Sequence, residues 1–158
     1  MAELKELVGR EEMKVIIFQL MEKEYAIEVD VVESIEKLIS VTRVPKTPSY
    51  VKGVINLRGV VTPIVDLRDR FGMEPKQMDD SSRIIIVSLL EFEVGLIVDA
   101  ANDVIDIPVS AIEPQPEVVD SIESEFIAGV AKVDKRLLVM LNLDKVLQPV
   151  KRVIADEF

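Results

Sequence analysis

Three aspartates, Asp30, Asp66 and Asp99, each stand where an apolar run ends, a place at which a carboxylate could be held rigidly enough to act as a general acid or base. The same place, between a strand and a short helix, is where Asp best caps a helix N-terminus, a role worth about 1 kcal/mol. Capping is the simpler reading, so these acids point to structure before catalysis. A carboxylate-dependent hydrolase or isomerase using Asp66 and Asp99 is the alternative of another class, and it requires both acids to converge in one concave pocket. The run Asp79-Asp80-Ser81-Ser82 has cation-binding residue types, but acidic linkers of this kind are normally just solvated. No metal site and no cofactor is predicted, and the chain is read as a non-enzyme.

The rest of the inventory narrows the chemistry further. The 158 residues include no Cys, no His and no Trp, which excludes disulfides, zinc sites with Cys or His ligands, and Cys or Ser-His nucleophile systems. Six glycines form no phosphate-cradling motif and no nucleophile elbow. With 29 acidic against 19 basic side chains the formal charge is −10, so nucleic acid is not a partner: such binding rests on Lys and Arg neutralising phosphates. Aromatic-floored grooves for Pro-rich peptides are also disfavoured by the absence of Trp.

One stretch reverses this charge. Residues 42–68 carry Arg43, Lys46, Lys52, Arg58 and Arg68 against a single acid, Asp66, which suggests a docking face for an acidic partner segment. Singly, each such charge is ordinarily a solvated rim residue of little energetic weight. Arg58 differs, because Leu57 and Gly59 flank it in what reads as a tight strand-to-strand turn, so short backbone holds its guanidinium in place.

The elements that must position these residues come from a repeat. Residues 14–35 laid over 83–104, without gaps, match apolar on apolar and put Asp30 on Asp99. A second register puts Gly53-Val54 on Gly129-Val130 and carries 61–71 onto 137–147, the difference falling in a loop. Each copy opens with a nearly continuous apolar strand (15–21; 84–90) and a second strand, a β-hairpin start. Asp30, with Glu33 three residues on and Val32, Ile35 and Leu38 behind it, predicts a capped amphipathic helix; the counterpart after Asp99 is weaker and reads as a turn. Further strands are expected at 39–44, 54–57, 60–65, 130–133 and 137–141, with short helices capped by Asp66 and Asn142. The acidic, Pro-containing run 113–125 is a loop expected to cover a barrel mouth. Short β-branched strands punctuated by Pro45, Pro48, Gly59 and Pro63 argue for small barrels rather than a parallel sheet with crossover helices. The organisation predicted is a tail at 1–12, a first module at 13–71, a linker at 72–82, a second module at 83–150 and a charged tail at 151–158. The N-terminus has no basic and apolar leader, and no apolar stretch approaches the roughly 20 residues of a membrane span, so a cytoplasmic chain without membrane insertion is expected.

The run Lys52-Gly53-Val54-Ile55-Asn56-Leu57-Arg58-Gly59, followed by Pro63-Ile64-Val65-Asp66-Leu67, resembles the signature of the CheW-like family, the coupling proteins of bacterial chemotaxis. Tyr25-Ala26-Ile27, Gly95-Leu96-Ile97-Val98-Asp99 and the stretch 137–147 are similar to other parts of its pattern, so that the resemblance spans about residues 14–148. With no kinase or receiver portion, the chain looks like a free-standing family member rather than the regulatory domain of the histidine kinase CheA.

The resemblance implies a mainly β fold of two SH3-like five-stranded β-barrel subdomains related by a pseudo-two-fold, with short helices. It implies an adaptor with two partners, the CheA regulatory domain and the cytoplasmic tip of the methyl-accepting chemotaxis receptor, at membrane-associated receptor arrays. The receptor-facing groove is expected to include Arg58 with Asn56 and Leu57, and a helix carrying Val32, Ser34 and Ile35. For the kinase contact the hairpin around Leu90 and Phe92 is the candidate, since Phe92 falls where the first copy holds Lys23, an exposed position by the repeat. A CheW-like adaptor serving a related kinase pathway, in motility or development, is the nearer alternative.

Overall fold

The computed structural model describes residues 11–37, 39–89, 92–114 and 125–157, with side chains described as far as Val153. In the first half, β1 (Glu12–Leu20), β2 (Lys23–Glu28), β3 (Val32–Glu36), β4 (Val51–Leu57) and β5 (Val60–Asp66) lead to the single-turn helix α1 (Leu67–Arg70). The second half runs through β6 (Arg83–Ser88), β7 (Glu93–Val98), β8 (Ala100–Pro108), β9 (Ile112–Pro114), β10 (Ile127–Val133) and β11 (Arg136–Leu141) to helix α2 (Leu143–Glu157).

These strands form two sheets, in the orders β8-β1-β2-β11-β10-β9 and β3-β6-β7-β5-β4. The sheets do not coincide with the two sequence copies. Each copy's opening hairpin is inserted into the other copy's sheet, so β1-β2 joins β8 to β11, and β6-β7 joins β3 to β5. Both insertions end in a parallel seam, β2 on β11 and β5 on β7, while the other pairings are antiparallel. A division at residues 72–82 therefore separates the copies but not the sheets.

Each sheet closes on itself through one bent segment. β8 and β9 lie at opposite edges of the first sheet yet follow each other in the chain across a 3-10 turn at Val109–Ala111. In the second sheet the segment after β3 returns to the far edge, where Thr42 and Val54 exchange two backbone hydrogen bonds of 2.8 Å. Gly53 makes this approach possible: at φ +144° a Cβ there would stand 2.1 Å from the Thr42 carbonyl oxygen.

The near-continuous apolar strands follow from this architecture, because both faces of a strand at the junction are covered. On β6, Ile84 and Ile86 enter the second barrel's interior with Ile55, Ile64 and Ile97, whereas Ile85 and Val87 enter a core shared by both barrels. On β1, Val15 and Ile17 fill the first barrel with Ile107 and Leu138, whereas Phe18 and Leu20, on the strand's opposite face, enter the shared core. An aromatic row runs through that core, with ring centroids 5.8 Å apart for Phe18–Tyr25, 6.0 Å for Tyr25–Phe71 and 5.3 Å for Phe71–Phe126.

Two local expectations are corrected. The residues after Asp30 form no helix: a 3-10 turn at Val29–Val31, without a side-chain cap, leads into β3, which pairs with β6. Val31, Val32 and Ile35 are β-branched, and an apolar neighbouring strand offers them extended partners that outweigh a short helix. Asp99 likewise caps nothing, since β8 begins at the next residue. By contrast, Asp66 accepts a hydrogen bond from the Arg68 amide (3.0 Å) and Asn142 one from the Lys145 amide (3.3 Å), as N-caps of α1 and α2. Helix α2 continues to Glu157, through most of the stretch divided off as a tail. Most of the run 113–125 lies outside the described residues.

Candidate functional site

β4 and β5 meet in a two-residue turn whose central residues, Arg58 (φ 54°) and Gly59 (φ 85°), are both left-handed, as a type I′ hairpin requires. The Asn56 Oδ1 accepts the Gly59 amide at 2.9 Å and pins the turn. Leu57 is half-buried against the barrel core, so the tip has an anchored base. The Arg58 side chain is 74% exposed, and its nearest described acid, Glu36 Oε2 at the end of β3, is 3.6 Å away. Such a pair contributes little, so the guanidinium, carried on a backbone-fixed turn, is available to another molecule. The repeat shows again here: Asp134 and Lys135 join β10 to β11 with positive φ at both residues, placing an acid where the other tip holds Arg58.

The Arg58–Glu36 approach brings β3 beside the hairpin tip. Of the three residues predicted on this element, Ile35 is 40% exposed, whereas Val32 packs partly against the shared core and the Ser34 Oγ is buried without a hydrogen-bond partner among the described residues. These residues sit on an edge strand, not a helix. The tip also exposes Val60 (50%) and Val61 (60%), which sequence reading missed. The available signal was their place just past Arg58-Gly59, where a hairpin projects beyond its barrel. Arg58, Ile35, Val60 and Val61 thus give this end a cation with apolar neighbours, a composition suited to protein contacts.

The remaining predicted residues fare differently. Phe92 is half-buried against the shared core rather than exposed, because β7 turns it inward; Leu90 lies outside the described residues. The basic stretch is less uniform than its composition implies. Lys52 pairs with Asp69 at 3.2 Å, and Arg68 is largely buried, its Nε 2.8 Å from Asp99 Oδ1 and its Nη2 on Asp99 Oδ2. Arg43, Lys46 and Arg58 are left as its exposed, lightly paired cations among the described residues.

This ion pair decides the catalytic alternative. Burial favours the neutral form of the Asp99 carboxyl, but hydrogen bonds from Arg68 and the Met21 amide, with the Arg68 and Lys76 charges, outweigh it and hold the pKa below the ordinary value. At Asp66 burial wins against the Arg68 amide and the Lys52 charge, and the pKa rises. Asp66 is occupied as a cap and Asp99 as a salt-bridge partner, so neither is poised as an acid–base pair. A second clamp, Arg136 on both Glu24 and Asp103, ties β11 to β2 and β8 and lowers both acids' pKa. Its role is to pin a parallel seam.

Two barrels locked through a common core, presenting a backbone-positioned cation between apolar side chains, define an interaction module that binds other macromolecules. The CheW-like domain model matches residues 14–151, and the chain belongs to that family, the non-enzymatic coupling adaptors of chemotaxis. The chemotaxis protein CheW of Bacillus subtilis (strain 168) is 47% identical over 134 residues, 85% of this chain and 86% of its own length. The chemotaxis protein CheW of Klebsiella aerogenes is 33% identical over 151 residues, 96% of this chain and 89% of its own. The crystal structure of scaffolding protein TtCheW from Thermoanaerobacter tengcongensis superposes with a TM-score of 0.81 at 38% identity, covering 86% of this chain and 92% of that one. The fold is accordingly mainly β with two SH3-like barrels, the six-stranded count in one sheet arising where β8 and β9 divide a single bent strand. No described helix is long and apolar enough to cross a membrane.

Proposed function

We propose that this chain bridges the cytoplasmic tip of methyl-accepting chemotaxis receptors and the regulatory domain of the histidine kinase CheA, in the cytoplasm at membrane-associated receptor arrays. The observation that carries the receptor contact is the exposed Arg58 guanidinium on a type I′ turn beside Ile35 of β3. The turn's backbone is already ordered, so docking costs only the freedom of the Arg58 side chain itself, which favours it as an anchor. Asn56 and Leu57 act by holding the turn; Val32 and Ser34 act by setting β3 against β6.

The kinase contact is assigned to the β6–β7 end carrying Leu90 and Phe92. Phe92 supports that end from within, since its ring packs on the shared core. Repetition of two modest contacts across an array gives tight assembly through effective concentration, without either contact being strong alone.

The test is receptor-dependent kinase activation with Arg58→Ala, using Arg43→Ala as a charge-matched control. Loss of coupling in the first alone supports the assignment. Equal activation by both variants refutes the receptor face while leaving family membership untouched.

A further inference from the structure

We infer that the cleft between α1 and α2 is a further docking site, which takes an acidic peptide segment of a protein partner. It is a cavity of about 380 Å³ whose walls include Arg70, Lys145 and Arg152 against one acid, Glu125. It shares no residue with the Arg58 face, so it goes beyond the receptor and kinase contacts proposed above.

Arg70 is placed by a defect in α2. Pro149 lies inside that helix and has no N–H to give the Lys145 carbonyl four residues back. The Arg70 guanidinium takes over: its Nη2 donates to the Lys145 carbonyl at 3.4 Å and its Nε to the Val146 carbonyl at 2.8 Å. The Phe126 and Tyr50 rings lie 4.3 Å and 5.3 Å from its central carbon. These contacts fix the group while leaving its charge without a carboxylate partner among the described residues. The side chains of Lys145 and Arg152 are likewise without an ion pair among those residues, and both residues are exposed. Three cations facing one acid, on a chain of formal charge −10, make a local reversal of sign that attracts carboxylates.

The shape of the chemistry favours a peptide over a free phosphate. Phosphate sites draw on glycine loops and helix N-termini with unused amides. Here no glycine lines the cleft, the first-turn amide of Lys145 is already taken by Asn142, and Pro149 has no amide to give. Pro149, half-buried at the cleft wall, instead supplies apolar surface for the aliphatic neighbours of an acidic side chain.

The test titrates the full-length, 15N-labelled chain with a short peptide of glutamates interspersed with leucines, and separately with inorganic phosphate. Saturable amide shifts centred on Arg70, Phe126, Lys145 and Arg152 are expected, weakening as salt is raised. The double substitution Lys145→Glu, Arg152→Glu, at exposed positions, is expected to weaken peptide binding by about tenfold or more with the dispersed spectrum retained. The milder pair Lys145→Gln, Arg152→Gln is expected to fall between, and Arg58→Ala to bind as the parent does. Shifts centred on Arg58, phosphate saturating at lower concentration than the peptide, or unaltered binding by both double variants would each overturn the inference.

Discussion

Replacing Arg68 with Leu removes the fastening between the two barrels. Arg68 stands in α1, while Asp99 stands between β7 and β8 and also accepts the Met21 amide from the β1–β2 turn at 2.8 Å. The Arg68 Nη1 donates to the Glu74 carbonyl at 2.9 Å, adding the segment that joins the copies. The two side chains are only 13% and 12% exposed. Breaking a fully buried pair costs about 3–5 kcal/mol; the remaining solvent access and the surviving Met21 amide reduce this to about 2–3 kcal/mol. For a chain of this size that corresponds to a fall in Tm of about 5–10 °C. The pH dependence gives a sharper criterion. Because the folded pKa of Asp99 is depressed, its stabilisation is present above the unfolded value of about 3.9 and is lost as pH falls through the folded pKa. In Arg68→Leu burial persists without the guanidinium, so the carboxyl's pKa rises and the deficit relative to the parent shrinks on acidification. Urea unfolding at neutral and at acid pH measures both. An unchanged midpoint at neutral pH, or a deficit that does not shrink in acid, would refute the reasoning.

Other substitutions test separate parts of the account. Gly53→Ala places a Cβ 2.1 Å from the Thr42 carbonyl oxygen at a left-handed φ, and is expected to cost about 2–4 kcal/mol in denaturant unfolding by breaking the closure of the second barrel. Asp66→Asn keeps a capping oxygen and removes a charge disfavoured by burial. It is expected to be neutral or to stabilise by up to about 1 kcal/mol at neutral pH, a gain that disappears as the parent's Asp66 protonates on acidification. Arg58→Ala is expected to leave Tm unchanged, since its ion pair with Glu36 is long and exposed, and to weaken receptor binding by about 2 kcal/mol in calorimetry. Phe92→Glu puts a charge against the shared core and is expected to lower stability by about 1–3 kcal/mol, so kinase binding must be measured well below its Tm.

What could be read in the chain without coordinates was local or periodic. The nearly unbroken apolar run at 84–90 announced the strand β6, and Leu57-Arg58-Gly59 announced a tight turn. The repeat predicted two similar units but could not say which hairpin joins which sheet, because both hairpins are equally apolar and pairing is decided across the whole chain. Val32, Ile35 and Leu38 had helical spacing, yet Val32 and Ile35 lie in β3, whose partner β6 lies beyond the linker. Arg68 looked like one more basic residue of its segment; its partner, 31 positions away, is adjacent only after β5 and β7 pair in parallel. Phe92 shows the limit of repeat logic, since equivalent positions in two copies face different neighbours once the hairpins are exchanged.

The central claim is that one copy of this chain holds two macromolecules at once on different faces. Light scattering on a size-exclusion eluate of the chain mixed with a receptor signalling fragment and a CheA regulatory domain tests it directly. A single species whose mass includes all three components is predicted, with the receptor fragment alone lost from it when Arg58 is replaced by Ala. Mutually exclusive binding, in which adding either partner displaces the other, would contradict it.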